Sequence, residues 1–261
     1  MGENTALRDG GGMNIVMVGW ALLPLLVFIL LFRLEKGRPG NCPFQKLSPG
    51  DWLISLSGFW MQGVVIPVVG FSFSSFVLSS WLPGWKGFFS LGFTGAFLLN
   101  VIVVDFLYYW QHRAFHQVPW LWRLHASHHY SPVVNIWATS RNALVTHFLF
   151  VYMLLNPILG YLCDSPEGFF AGAMVTAALD ILRHANIQCG KTPFDGILVL
   201  PGDHHRHHDE RQSFCNYAAN FMIWDRLFGT AYREGHRPGF SQPYNPPSIQ
   251  IQLLYPWKAS K

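Results

Sequence analysis

Long apolar runs constrain this chain more than any other feature. A bilayer core of about 30 Å needs roughly 20 apolar residues in a helix, and Met13 to Leu31 (MNIVMVGWALLPLLVFILL) supplies the first such run. Trp52 to Trp81, Gly87 to Tyr109 and Ala143 to Leu162 supply three more. A fifth, Phe169 to Leu182, is short, so it either tilts little and thins the bilayer or forms half of a re-entrant hairpin. Charged residues make up only 12% of the 261, and apolar residues 51%, too few charges to cover a soluble globule of this size. High apolar content with a net charge of only +4 excludes disorder. The basic residues form no dense patch, which excludes nucleic acid as a partner. Before the first run, Glu3, Arg8 and Asp9 nearly cancel, so that run (13–31) reads as a retained anchor and not as a cleaved signal peptide. The expectation is an all-α, multi-pass membrane bundle of four to five transmembrane or re-entrant helices, forming one domain over 1–261 with no internal repeat.

Orientation follows from the loops. Arg33, Lys36, Arg38 and Lys46 place the segment after the first run on the cytoplasmic side. Runs two and three then form a hairpin that returns to that side near Tyr109, and runs four and five return near Arg183. The turn WLPGWK (Trp81 to Lys86) and the sequence Tyr108-Tyr109-Trp110 read as aromatic interface belts.

The second constraint is histidine. Nine of the twelve fall in four groups: His112 and His116 (H-x-x-x-H); His125, His128 and His129 (H-x-x-H-H); His184; and His204, His207 and His208 (H-x-x-H-H again). Each follows an apolar run or lies beyond the last, so all are expected on the cytoplasmic face. Residues four apart on a helix share a face, so His112 and His116 converge. In H-x-x-H-H the first and last histidines stack, while the middle one lies about 100° around the helix. Such a motif addresses two neighbouring ions, and nine imidazoles suit two ions better than one. Imidazole favours iron, copper, nickel or zinc over calcium or magnesium. The four cysteines (Cys42, Cys163, Cys189, Cys215) form no C-x-x-C pair, which argues against a disulfide framework or a thiolate zinc site.

Several strings carry a resemblance: Asp105-Phe106-Leu107-Tyr108-Tyr109-Trp110-Gln111-His112-Arg113 with His116; Leu121-Trp122-Arg123-Leu124-His125 with His128-His129; Arg183-His184-Ala185-Asn186; HHRHH with Asn216-Tyr217; and Trp224-Asp225-Arg226-Leu227-Phe228-Gly229-Thr230. From about Asp51 to Trp257 the chain resembles the fatty acid hydroxylase superfamily, also called the sterol desaturase family. The resemblance implies an integral membrane oxygenase with a non-haem di-iron centre (zinc occupying it in some purified proteins) held by a cytosolic histidine cap. It implies His112, His116, His125, His128, His129, His184, His204, His207 and His208 as ligands. Where many members carry a glutamate a few residues beyond the position of Arg141, this chain reads Asn142-Ala143-Leu144-Val145-Thr146-His147. His147 either substitutes as a ligand or lines the bundle, and the second reading is favoured. His205 is a further alternative ligand, and His236 is expected to be solvated.

Asp105 interrupts an apolar run, where an ionisable group is costly and usually functional. It stands seven residues before His112, and Asp180 stands four before His184. Either could accept the second N–H of a metal-bound imidazole; the alternative is pairing with Arg113, Arg141 or Arg183. Asp225 is expected to pair with an arginine of the cap. The implied reaction is O2-dependent hydroxylation or desaturation of a lipid (sterol, fatty acid or related). No G-x-G-x-x-G follows a strand, so electrons are expected from a separate donor, cytochrome b5-like or ferredoxin-like. A carboxylate-bridged di-iron site needs Glu-x-x-His pairs, which none of the five glutamates provides. The location implied is a bacterial inner membrane or the endoplasmic reticulum. The alternatives are a metal transporter, whose ligands would sit near the bilayer midplane, and a haem electron carrier, which does not need H-x-x-H-H twice.

Overall fold

The computed structural model describes residues 15–37, 47–149, 151–189, 191–209, 214–232 and 246–258. Arg38, Lys46, Cys42 and His236 lie outside them. The described residues are helical, without strands: α1 (Ile15–Lys36), α2 (Pro49–Trp81), α3 (Gly92–Gln117), α4 (Pro119–His129), α5 (Asn156–Leu162), α6 (Pro166–His184), α7 (Pro201–His207), α8 (Ile223–Leu227) and α9 (Ile249–Leu254). Helix α5 is entered through a tight turn at Leu144–Phe148 and a widened π turn at Val151–Leu155. Among the described residues, four stretches are long and apolar enough to cross a membrane: Val16–Lys36, Pro49–Trp81, Gly92–Gln117 and Leu144–Leu162.

The fifth apolar run is different. It becomes the continuous 19-residue helix α6, neither a half-hairpin nor one of the four candidate spans. Glu167, Asp180 and Arg183 lie within it, and small residues let it sit deep in the bundle. A Cβ added to Gly168 would strike the carbonyl of Phe93, and one on Gly172 would come 2.8 Å from both Asn100 Cβ and the Phe97 carbonyl. Close backbone approach through small residues is how membrane helices gain packing without a hydrophobic driving force.

Helices α1, α3 and α6 run parallel, because their matching ends meet. At one end, the carboxylate of Asp164 accepts the N–H groups of Leu91 and Gly92 at 3.0 Å and so caps α3, while Tyr161 donates its hydroxyl to the Leu82 carbonyl at 2.9 Å. Trp81 and Trp85, 82% and 49% exposed, mark this end, as an interface belt requires. At the opposite end, Glu35 at the close of α1 accepts the N–H of Asn186, just beyond α6, at 2.6 Å. All four histidine groups gather at this second end, because α6 carries the chain back to it after the span at Leu144–Leu162 has led away.

Two widened turns precede prolines. Met61–Val65 comes just before Pro67, and Val151–Leu155 just before Pro157, as expected where the ring forbids the regular hydrogen bond. Ser48 and Asp51 cap the start of α2 reciprocally (Asp51 N to Ser48 Oγ 3.2 Å; Ser48 N to Asp51 Oδ2 3.0 Å). Trp137 is packed edge-on by Phe28, Trp52 and Phe59, with ring centroids 5.0 to 5.9 Å apart; it joins α1, α2 and the loop above them.

The belt reading fails for two of three aromatics at the other end of α3. Tyr109 is fully buried, its hydroxyl within 3.0 Å of Thr230 Oγ1, and Tyr108 lines an internal cavity. Only Trp110 is substantially exposed. Helix period, not proximity in sequence, turns Tyr109 inward.

Replacing Gly172 by leucine is expected to lower stability by roughly 1–3 kcal/mol through overpacking against α3. Gly63, with nothing within 4 Å of an added Cβ, should accept alanine without loss. Thermal unfolding of the two variants in detergent checks both.

Candidate metal centre

The structure brings all nine expected histidines together as two adjacent groups. His112, His116, His125, His129 and His207 form one; His128, His184, His204 and His208 form the other. Within each group the ligand-capable nitrogens all lie within 4.8 Å of one another, and every ring is buried. Neither group contains a carboxylate or a cysteine.

The two H-x-x-H-H motifs divide in opposite ways. On α4, His125 and His129 share one face and join the five-histidine group, while His128 joins the other. At α7, His204 and His208 join the four-histidine group, and His207 crosses to the five. The 100° step between neighbouring helical residues produces this exchange, so each motif serves both positions.

Hydrogen bonds to carbonyls fix which ring nitrogen carries the proton. The Nδ1 atoms of His112, His128, His184 and His207 lie 2.7, 3.1, 2.8 and 2.7 Å from the carbonyls of Tyr217, Arg141, Asp180 and Cys215. A carbonyl only accepts, so Nδ1 donates and Nε2 keeps its lone pair. Yet His128 Nε2 and His184 Nε2 stand 3.3 Å apart, lone pair against lone pair, which is repulsive unless a cation lies between them. Related spacings are 3.0 Å for His204 to His184, 3.2 Å for His208 to His204 and 3.1 Å for His112 to His125. Nitrogens bound at about 2.1 Å to one ion stand about 3.0–3.4 Å apart in right-angled or tetrahedral arrangements. The Nε2 atoms of His116 and His207 and both nitrogens of His129 have no hydrogen-bond partner. Buried polar atoms are seldom left so, and the donor set fits a pair of imidazole-binding metal ions.

Burial holds the rings of the two H-x-x-H-H motifs neutral. It pushes His125 down to about 3 and His207 to about 4, and lowers His128, His129, His204 and His208 well below the ordinary imidazole value, with repulsion among the imidazoles adding to the effect. Neutral imidazole is the form that binds metal.

Two sets of braces hold the groups in place. The loop 214–222 serves the five-histidine group. Asn216 adopts a left-handed φ of 52°, which turns the flanking carbonyls of Cys215 and Tyr217 towards His207 and His112. Its side chain donates to the carbonyls of Asp203 and Tyr232 at 2.8 Å. Asp225 was expected to meet an arginine. Instead it accepts the N–H groups of Tyr217 and Ala218 and the hydroxyl of Thr230 at 2.7 to 2.9 Å, satisfying buried donors that a cation would have left unpaired. Asp105 is bonded neither to His112 nor to an arginine, although the charge of Arg183 acts on it from nearby. It accepts from Asn220 N (2.8 Å), Phe221 N (3.3 Å) and Trp224 Nε1 (2.7 Å), because His112 already spends its Nδ1 proton on Tyr217.

The four-histidine group rests on other residues. Asp180 sits 3.2 Å from His184 Nδ1 and also pairs with Arg183, so both of its expected contacts coexist. Arg141, wholly buried, pairs with Asp51 at 2.9 Å and donates to the Ser127 carbonyl and Gln252; its own carbonyl receives His128. Glu35 was not singled out from sequence. Its Oε1 accepts Ile136 N (3.2 Å) and Asn186 N (2.6 Å), tying α1 to segments that lead to Arg141 and away from His184. An acid closing an apolar run was the available signal. His205 lies 3.1 Å from the His184 carbonyl and His147 lines a cavity beside the site; neither belongs to a group.

Glu35→Ala is expected to cost about 1–3 kcal/mol by stranding two buried N–H groups, while Glu35→Gln, still an acceptor, should recover most of it in thermal unfolding. The imidazole shifts set a second expectation. Folded values lie below the unfolded value of about 6.5, so the unfolded chain binds more protons on acidification. Metal-free protein should keep full stability above about pH 6.5 and lose it as pH falls towards 4; a flat unfolding profile across that window would contradict the burial.

The family model described as fatty acid hydroxylase matches residues 97–230. The chain is 30% identical to alkylglycerol monooxygenase of Xenopus tropicalis over 86% of its own length and 51% of that protein. It is 33% identical to ornithine lipid hydroxylase OlsE of Rhizobium tropici (60% and 45%) and 31% identical to fatty acid hydroxylase vlmA of Lecanicillium (51% and 40%). The chain thus spans about half the length of the curated relatives it matches. No solved structure matches it. With half of its residues matched by that model, and both H-x-x-H-H motifs inside the match, the chain belongs to the fatty acid hydroxylase family.

Proposed function

We propose that the protein is a membrane-embedded lipid hydroxylase, folded as one domain, whose nine clustered histidines hold two iron ions. His112, His116, His125, His129 and His207 hold one ion, and His128, His184, His204 and His208 the other. The observation that carries this reading is the pair of buried imidazoles, His128 and His184, whose Nδ1 atoms each meet a backbone carbonyl while their Nε2 atoms stand 3.3 Å apart. Bound iron would supply O2 activation, one oxygen atom entering a C–H bond of the lipid and the other leaving as water, with two electrons and two protons delivered from outside.

The chain's own residues supply the rest. Carbonyls of Arg141, Asp180, Cys215 and Tyr217 orient the rings, and burial excludes water from the reacting centre. Relatives named alkylglycerol monooxygenase, ornithine lipid hydroxylase and fatty acid hydroxylase support a lipid substrate and favour hydroxylation over desaturation. Arg33 and Lys36 close α1 at the histidine end, supporting a cytoplasmic site, in a bacterial inner membrane or the endoplasmic reticulum. A separate cytochrome b5-like or ferredoxin-like donor would deliver the electrons there.

Lipid mass spectrometry of cells with and without the gene should reveal a species gaining 16 mass units, the mass of one oxygen atom. His128→Ala should abolish that product and lower the iron bound per purified chain; survival of the product at wild-type levels would end the assignment.

A further inference from the structure

A row of aromatic rings leads away from the five-histidine group. The Tyr217 ring lies 5.4 Å from that of His116 and 5.6 Å from that of His207, centroid to centroid. Tyr109 follows at 6.3 Å from Tyr217, and Trp110 at 5.4 Å from Tyr109, all contact spacings for aromatic pairs. Tyr217 and Tyr109 are buried, whereas Trp110 is 41% exposed. Phenol and indole give up an electron more readily than imidazole does, so the row joins the ligand rings to the surface through oxidisable side chains.

The hydrogen bonds at Tyr109 add a route for its proton. Thr230 Oγ1 lies 2.7 Å from Asp225 Oδ1 and 3.0 Å from the Tyr109 hydroxyl. A carboxylate only accepts, so the threonine proton points to Asp225 and the Tyr109 hydroxyl donates to Thr230. Arg113 Nη1 donates to the same phenol oxygen at 3.1 Å, which holds that direction. Burial raises the Asp225 carboxyl above its ordinary value, towards taking up a proton. Oxidising a buried phenol without such an exit would leave a positive charge in an apolar site, at high cost. The Arg113 guanidinium also lies 5.4 Å from the Trp110 ring and opposes a positive charge there, so an oxidising equivalent settles on Tyr109.

We infer that Tyr109 is a one-electron donor to the metal centre, an outlet used when the centre has been oxidised by O2 and no C–H bond stands in reach. An electron passes from Tyr109 through Tyr217 to the oxidised centre. The phenol O–H bond breaks, its proton moves to Thr230 as the threonine proton moves to Asp225, and a neutral tyrosyl radical remains. An external thiol or the electron donor returns the electron at Trp110, and Asp225 returns the proton. The ligand histidines are thereby spared oxidation. The inference rests on the oxygenase reading and adds a second redox activity to it.

The test uses the full chain loaded with iron, reduced without air and then mixed with O2 in the absence of lipid. Oxygen uptake is followed, and samples are frozen for electron paramagnetic resonance. A tyrosyl signal should appear, and protein grown on ring-deuterated tyrosine should show it narrowed. Tyr109→Phe should remove the signal at unchanged iron content and raise severalfold the share of chains with oxidised ligand histidines, read by peptide mass spectrometry. Thr230→Val should lower the radical yield severalfold, with Thr230→Ser restoring it, which keeps the test open if Tyr109→Phe misfolds. Oxygen uptake with no radical would overturn the inference. So would an undiminished signal in folded Tyr109→Phe protein, carried by Trp122 or Tyr108, whose rings lie 5.0 Å from His116 and 5.6 Å from His112. Iron-loaded, reduced protein that takes up no O2 at all would sink the oxygenase reading and this inference with it.

Discussion

Everything at the functional end of this molecule follows from burying neutral imidazoles with their lone pairs turned inward. A backbone carbonyl accepts the Nδ1 proton of His112, His128, His184 and His207, and that single choice fixes ring orientation, tautomer and the inward lone pair together. The cost is electrostatic: lone pairs about 3 Å apart repel, and an ion between them converts the repulsion into coordination. The braces around the groups make sense in this light. Asp105, Asp225, Glu35 and the Asp51–Arg141 pair do not touch the centre; they hold the segments whose carbonyls do.

The membrane bundle is the frame for this. Helices α1, α3 and α6 run the same way, and their ends carry Glu35, His112 with His116, and His184 to one place. Close packing through Gly168 and Gly172 sets how near α6 comes to α3, and hence how His184 meets the rings rising from α3 and α4.

Much of this could be read in the chain beforehand. Apolar runs located four spans because hydropathy over some 20 residues is a strong, additive signal, and the i, i+4 rule grouped His125 with His129 and His204 with His208. Most of what escaped depended on contacts between segments far apart in sequence. The Tyr217 carbonyl takes the proton that Asp105 was expected to accept, and that partner lies 105 residues from His112. Asp225 looked like a salt-bridge partner because charge pairing is the default for a buried acid, yet two backbone N–H groups seven and eight residues away claim it first. Glu35 went unremarked because its partners are 101 and 151 residues distant. By length alone the fifth run reads as a span that thins the bilayer or as half of a re-entrant hairpin, whereas the glycines of α6 explain its place against α3.

The crossing-over of the two H-x-x-H-H motifs has a consequence for how this architecture tolerates change in length. His128 and His129 are adjacent on α4 yet serve different groups, so the distance between the two positions is set by the pitch of an α-helix and not by any bridging group. One residue inserted or deleted between His125 and His129 would rotate everything beyond it by about 100° and exchange the members of both sets at once. Such a change would scramble the centre even with every histidine retained, whereas loops that merely carry the chain from one motif to the next are free to grow or shrink.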